Sequence, residues 1–549
     1  MKILTGSIGR GCLAIFLTSV PAFLIFFHAG ILNPTDISWI FRGDWGQHAL
    51  GFHAYRQGIS GNGPGTTRLL NWPGGVSVGL MDSNPLVALP MGSVARILPA
   101  NFQFIGLWIL VCLVLHAGFS YALICRSAPN MIATLAGLLL LILVPALFQS
   151  LAHDTLLAQW TILAAYLIYF SPSRRRKDCL WFILLCTTAL IHVYLLLMVG
   201  ILWVCDGARA VWLRRRATVR EQLLPLAWFL AGIGAAAFFL WAGGTMAPNT
   251  QLSAPGWGQY AMRLDGPLNP TIPDTSLFLP AWSPPPGNWR AIPFEGFQYL
   301  GLGVIALILV AYLLLASKIA KIDEEFLIKL IWLFPGILLL TALAVTNDVS
   351  YLGVHILIPL PEKILDILGM VRASGRFFWP VTYLAILVAL QVIFSVPRRR
   401  STVILCACAA LQIADIFPLA ARLRQTTVSA ASPFARTPSP LWSQMIAEAG
   451  IIEFEPSKVE GNEPLFYEIA WRAASLHRPV TTAYVARDNI DQLARRERMR
   501  SEFLAGHLDP RRMYVILPPF RFPEAMGRRR VVYVDGVAVL PAVREQPIS

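Results

Sequence analysis

The chain has 549 residues, of which 56% are hydrophobic and only 14% charged, with a formal net charge of +14. Soluble domains carry about 25% charged residues, so this composition excludes a soluble globular enzyme and indicates an integral membrane protein. The positive excess does not indicate nucleic acid as a partner, because the basic residues stand in short clusters between apolar runs, as topology signals do.

A spanning helix needs about 20 largely apolar residues. The first such run, residues 12–32, follows Lys2 and Arg10 and reads as an uncleaved helix with a cytoplasmic N-terminus. Residues 33–102 then form a long extracytoplasmic loop, whose apolar part, 84–98, is too short to span and lies at the interface. Runs at 104–125 and 131–149 flank Arg126, and 156–170 returns to Arg174–Lys177. Residues 179–205 read as two short helices broken near His192, because a single helix would place Arg209 and Arg214–Arg216 on the wrong side. The run 224–241 leads to a second loop, 243–298, rich in Pro, Gly and Trp. Residues 299–316 return to Lys318, Lys321 and Lys329, and 330–345 lead to a third loop, 347–376. Residues 377–394 reach Arg398–Arg400, and 403–420 leave for the last time. This gives about eleven spans.

The expected fold is mainly α: a polytopic helix bundle over residues 1–420, followed by a small extracytoplasmic α/β domain over 421–549. In that domain helices are expected at 441–449, 467–475 and 490–504, and strands at 480–485, 513–517 and 531–534. Asp535-Gly536 reads as a hairpin turn before 537–540. All eight cysteines lie in or beside apolar runs, as small apolar side chains rather than a disulfide framework or metal site.

The polar residues that can carry chemistry fall on one face. Gly43-Asp44-Trp45-Gly46-Gln47-His48 opens a dense stretch that also holds His53 and Arg56. Asp82 precedes Ser-Asn-Pro, and His153-Asp154 and Gln159 sit at a span junction. Glu295-Gly296-Phe297-Gln298-Tyr299 ends the second loop. Arg372-Ala373-Ser374-Gly375-Arg376 ends the third, and Asp415 lies late in the final span. These pieces can converge on one outward cavity at the lipid boundary. Structural roles compete at each: Asp44, Asp82 and Asp154 as helix caps, Arg372 and Arg376 as snorkelling side chains. For Trp39, Trp45, Trp72 and Trp282 an interface belt is the safer reading over sugar stacking.

The layout resembles the GT-C superfamily of membrane glycosyltransferases, in which an essential acid follows the first helix; Asp44 holds that place. The closer resemblance is to an uncharacterised bacterial group of multispanning proteins opening with Gly-Asp-Trp-Gly-Gln-His-Ala-Leu-Gly. That group also shows Asp-Ser-x-Pro-Leu (Asp82–Leu86), Glu-Gly-Phe-x-Tyr-Leu-Gly (Glu295–Gly301) and Arg-x-Ser-Gly-Arg-Phe-x-Trp (Arg372–Trp379). The resemblance implies a polyprenyl-phosphate-linked sugar as donor, a glycan, lipid or protein acceptor, and a bacterial inner-membrane location. On that chemistry Asp44 is the general base and Arg372 and Arg376 hold the donor phosphate. His48, His53, Arg56, Asp82, Asp154, Gln159, Glu295 and Tyr299 bind substrate. Asp44, Asp82 and Asp154 can supply oxygen ligands to magnesium or manganese, though their spacing does not demand a metal. A lipid-linked sugar flippase, an O-antigen ligase or polymerase and a non-catalytic envelope assembly protein are the rival readings.

Overall fold

Apolar length and proline placement decide where the helices begin and stop. The computed structural model is mainly helical and describes all residues except 1, 59–60, 62, 151–152, 172–175, 214–218, 247–249, 251–256, 283–293, 353, 486, 488, 521–530 and 544–549. Arg174, Arg175 and Arg214–Arg216 therefore lie outside the described residues. In chain order the first ten helices are α1 (Lys2–Phe26), α2 (Gly43–Arg56), α3 (Pro85–Ser93), α4 (Ile105–Ile124), α5 (Met131–Ile142), α6 (Pro145–Gln149), α7 (Trp160–Phe170), α8 (Lys177–Ile191), α9 (Val193–Leu213) and α10 (Val219–Ala242). They are followed by α11 (Leu302–Ala316), α12 (Glu324–Val345), α13 (Glu362–Gly369), α14 (Trp379–Phe394), α15 (Arg398–Asp415), α16 (Phe417–Thr426), α17 (Leu441–Glu448), α18 (Glu463–Ser475) and α19 (Ile490–Leu504).

Among the described residues six helices are long and apolar enough to cross a membrane: Ile8–Phe26, Ile105–Ile124, Val193–Leu213, Pro225–Ala242, Glu324–Val345 and Ser374–Phe394. The pair α15 and α16, bent by 48°, makes a seventh if taken as one span. Three apolar helices, Met131–Ile142, Asp154–Phe170 and Leu302–Ala316, are shorter. The count of about eleven is thus not confirmed, and one apolar run is divided into shorter helices than its composition suggests. Residues 131–149 show why: α5 stops, Val144 turns extended (φ −71°, ψ 120°) ahead of Pro145, and α6 starts anew, as the clash of a proline ring with the preceding residue requires. The segment 179–205 is broken at the expected place, an extended His192 (φ −165°, ψ 136°), but only the first helix is short: α9 runs on to Leu213 and is itself long enough to span.

The chain divides into two compact units. The first comprises Met1–Ala29, Leu107–Ala236 and Ser253–Thr426; the second comprises Gly30–Gly106, Ala237–Leu252 and Thr427–Ser549. The first loop is therefore grouped with the C-terminal segment, whereas the sequence places a boundary at residue 420.

Within the first unit, Gln412 of α15 donates to Leu143 O (2.9 Å) and Leu300 O (3.1 Å) and accepts from Val304 N (3.0 Å). Asp415, one turn on, accepts from the Tyr299 hydroxyl (2.8 Å), Leu302 N (2.9 Å) and Ser276 Oγ. An acid in an apolar segment is costly unless bonded, and this one is bonded on three sides.

The second unit holds a four-stranded sheet. Its strands are Ile451–Glu455, Arg512–Ile516, Val532–Val534 and Val537–Leu540, here β1 to β4, in spatial order β1-β2-β4-β3. β1 and β2 run parallel and the other pairs antiparallel. The expected hairpin forms: Asp535 (φ 51°) and Gly536 (φ 80°) both take the left-handed conformation of a tight turn. The strand expected at 480–485 does not form. Val480 makes only an isolated bridge to Ile452, and its neighbourhood bonds the first loop instead, Val480 N to Leu69 O (2.8 Å) and Trp72 N to Val480 O (2.9 Å). Helix α2 packs on α18, where a Cβ on Gly46 would sit 2.8 Å from Cγ of Tyr467 and closer still to two other ring carbons. Trp39 and Trp45 are not at an interface belt: both are buried, edge to face with centroids 5.1 Å apart.

Candidate active site

Within the second unit, Gly43 (φ 54°) makes the left-handed turn that starts α2 and puts Asp44 in its first turn, half-buried. A carboxylate there also complements the helix dipole, so its structural and chemical uses are compatible. His48, one helical turn on, is buried. Asp82 and Asn84 both take φ 52°, a conformation that Asp and Asn tolerate better than other side chains with a Cβ. That turn brings a carboxylate oxygen of Asp82 within 4.8 Å of a His48 ring nitrogen. The Asn84 amide is fully buried, and among the described residues neither of its polar atoms is hydrogen-bonded. Such an orphan costs about 1–3 kcal/mol and is the kind of group a ligand satisfies.

Tyr467 of α18 joins this set. Its hydroxyl is buried and, among the described residues, unpartnered; burial first, then the Asp44 carboxylate, raises the phenol well above its ordinary pKa. No motif points to it, since Tyr467 lies in a segment without one.

His53 and Arg56 are engaged otherwise. His53 is fully buried, stacked on Trp471 (3.7 Å, 8°) and bonded to Ser475 Oγ (2.8 Å). Burial, then the Arg56 charge, lowers its pKa well below the usual histidine value, so it is neutral. Arg56 donates to the carbonyls of Pro99 (2.7 Å) and Ala100.

In the first unit the centre is the 3₁₀ turn Ser374–Phe378 that leads into α14. It brings Arg376, buried, to Glu295 Oε1 (2.7 Å), with its guanidinium 4.9 Å from the Tyr194 ring centroid. His153 Nε2 lies 3.8 Å from the same carboxylate oxygen. Gly375 must be glycine here, since a Cβ would meet Gly296 Cα at 2.6 Å. Its N–H donates to Tyr260 O (3.0 Å) and its carbonyl accepts from Gln298 (2.8 Å). The Tyr194 hydroxyl accepts from Ala373 N (2.8 Å); the break at His192 is what starts α9 beside it. Arg372 is half-buried, 5.8 Å from the Tyr260 ring, and among the described residues is paired with no carboxylate.

The remaining expected site residues of this unit face inward. Asp154 is buried, and its carbonyl accepts from the Trp108 indole (3.0 Å). Gln159 accepts from the Tyr383 hydroxyl (2.6 Å), and Tyr299 is bonded to Asp415. Asp44, His48 and Asp82 thus belong to one unit, and Asp154, Glu295, Arg372 and Arg376 to the other. A His48 ring nitrogen and an Asp82 carboxylate oxygen are close enough to reach one divalent ion, a ligand pair that does not single out one metal.

A family model described as "Domain of unknown function (DUF6311)" matches residues 16–417, and "DUF6311 C-terminal domain" matches 441–542. No curated protein matches the sequence. Among solved structures the chain is similar to the archaeal oligosaccharyltransferase AglB from Archaeoglobus fulgidus, solved in complex with an inhibitory peptide and a dolichol-phosphate. The identity is 11%, the match covers 92% of this chain and 69% of that one, and the TM-score is 0.36.

Proposed function

From the premise that the chain belongs to the DUF6311 family, whose description carries no activity, we propose that it is a membrane glycosyltransferase. It moves a sugar from a polyprenyl-phosphate-linked donor to an extracytoplasmic glycan, lipid or protein acceptor, in a bacterial inner membrane with its N-terminus cytoplasmic. Asp44 takes the proton of the acceptor hydroxyl, whose oxygen attacks the anomeric carbon. The bond from that carbon to the phosphate oxygen breaks, and the lipid phosphate leaves with the electron pair. Arg372 and Arg376 hold that phosphate. Asp82 and His48 orient the acceptor or a divalent metal, and Glu295 keeps Arg376 in place.

The observation that carries this reading is the Ser374–Phe378 turn. It fixes Arg376 on Glu295 and Tyr194 and, among the described residues, leaves Arg372 without a carboxylate just before the turn that leads into an apolar helix. A lipid-borne phosphate there meets a guanidinium fork. A transport reading is weaker, because Asp415 is bonded on three sides and so is not an open stepping point.

The test is release of polyprenyl phosphate from labelled lipid-linked sugars by detergent-purified protein. Asp44→Asn should lower turnover by about 100- to 10,000-fold, the range for loss of a general base, and Arg372→Ala should raise the donor KM. Equal turnover by wild type and both variants refutes the assignment.

A further inference from the structure

The third loop carries apolar surface that the proposed transfer chemistry does not use. Residues 349–361 hold no Asp, Glu, Lys or Arg, yet they are too few to cross a membrane, which takes about 20. An apolar stretch of this length is either covered inside a fold or lies at a membrane interface. Here it is not covered. The strands Asp348–Tyr351 and Val354–Leu357 pair as an antiparallel hairpin within the first unit, and Tyr351, Val354, Ile356 and Leu357 are 53%, 61%, 61% and 69% exposed. Candidate spans bound the segment on both sides. α12 ends at Val345, three residues before the hairpin, and the span Ser374–Phe394 begins four residues after Met370. At no more than about 3.6 Å per residue, each end of the segment lies within about 15 Å of a span end.

The hairpin is sorted into two faces. Tyr351 pairs with Val354 and Val349 with Ile356, so these four apolar side chains share one face. Asp348, Ser350 and His355 take the other, where His355 Nδ1 lies 3.4 Å from Asp348 Oδ1 and Ser350 is buried. The hairpin is also held in place. Leu264 N donates to Ser350 O (2.9 Å), Ile358 N to Asn347 O (2.8 Å), and the Trp257 indole to Asn347 Oδ1 (2.8 Å). Helix α13 repeats the division: Ile364, Ile367 and Leu368 fall on one side at helical spacing, and Glu362, Lys363 and Asp366 on the other. Ile364 and Ile367 are both exposed.

We propose that this hairpin and α13 dock into the interface of the lipid leaflet at which α12 ends and the span Ser374–Phe394 begins. Their apolar side chains lie among the first carbons of the acyl chains, and the Tyr351 ring takes the headgroup level that tyrosine favours. Two observations select lipid as the occupant. The exposed apolar face continues that of α12, where Phe334, Leu338 and Leu339 are exposed along a helix apolar enough to span. The strand Val354–Leu357, among the described residues, pairs with no strand on its outer edge. Such an edge is not tolerated in hydrocarbon, but headgroups and their water satisfy it, which sets the depth at the interface rather than below it. The docking does not depend on the proposed transfer chemistry.

The full-length protein is reconstituted into vesicles of phosphatidylethanolamine and phosphatidylglycerol, a fraction of which carries a diazirine near the glycerol end of an acyl chain. After irradiation, labelled peptides are mapped by mass spectrometry. Residues 351–358 and 364–370 should take up label at a yield comparable to that of Phe334–Leu339 in α12. Ile356→Asp combined with Ile367→Asp, both at exposed positions, should cut the label on the two stretches by about ten-fold and leave that on Phe334–Leu339 unchanged. Wild-type protein labelled at Phe334–Leu339 but at neither loop stretch overturns the proposal, and a two-copy particle in that case assigns the face to a second copy of the chain. Undiminished labelling of both stretches in the double variant overturns it too.

Discussion

Gly46→Ala tests the packing that carries Asp44. Gly46 lies inside α2 against α18, and a Cβ there would stand 2.8 Å from Tyr467 Cγ and nearer to two other ring carbons. The ring cannot swing aside freely: it is fully buried, 5.8 Å from Phe466 and 6.4 Å from Tyr484. Alanine gains about 1 kcal/mol of helix propensity over glycine, whereas forcing a methyl into a filled interface costs about 1–3 kcal/mol. With rigid rings on one side and a helix on the other, the strain sits at the upper end and the net loss is about 1–2 kcal/mol. For a unit of roughly 200 residues that lowers the melting temperature by about 2–8 °C. The matched control is Gly200→Ala in α9, where a Cβ meets nothing within 4 Å and no fall is expected. Thermal unfolding in detergent distinguishes the two. A Gly46→Ala protein that melts at or above wild type refutes the packing of α2 on α18 and, with it, the placing of Tyr467 beside Asp44.

Other outcomes can be checked in the same preparation. Glu455 is buried in β1 with an unpartnered oxygen, and burial, then Glu453, pushes its pKa up to about 8. Because the folded value lies above the unfolded one, stability falls as pH rises from about 4.5 to 8, by at most about 5 kcal/mol at 1.36 kcal/mol per unit. Glu455→Gln should remove most of that slope, read as the difference in melting temperature between pH 5 and pH 8. Asp415→Ala orphans three donors, at about 1–3 kcal/mol each, and should melt well below Asp415→Asn, which keeps an acceptor. Trp471→Ala removes the ring under His53 and should cost about 3–5 kcal/mol, again measured as thermal unfolding.

What could be read in advance followed from local rules. Apolar composition gave the membrane class. The charge pattern located the break at His192, and Asp535-Gly536 announced its own turn. Helix length was overestimated where a proline divides an apolar run, as at Val144-Pro145, since composition is blind to the ring clash. Strand β1 was missed because Glu453 and Glu455 interrupt its apolar pattern, and both are buried in the fold, where Arg512 pairs with Glu453. Arg372, Arg376 and Glu295 were noticed as charges beside greasy segments. Their arrangement, with Tyr194 under Arg376 and Glu295 holding it, depends on residues up to 182 positions apart and no spacing encodes that. Tyr467 was invisible for the same reason.

The pairing of α2 with α18 sets a schedule for biosynthesis. Gly46 leaves the ribosome 421 residues before Tyr467, which at 5–20 residues per second is about 20 to 80 s. Throughout that interval the helix bearing the proposed base lacks the partner that covers it. A nascent chain halted before residue 463 would have its apolar helices and no finished second unit. Any activity that needs Asp44 in place should therefore switch on only with the last fifth of the polypeptide, so an aborted translation product is inert rather than unregulated.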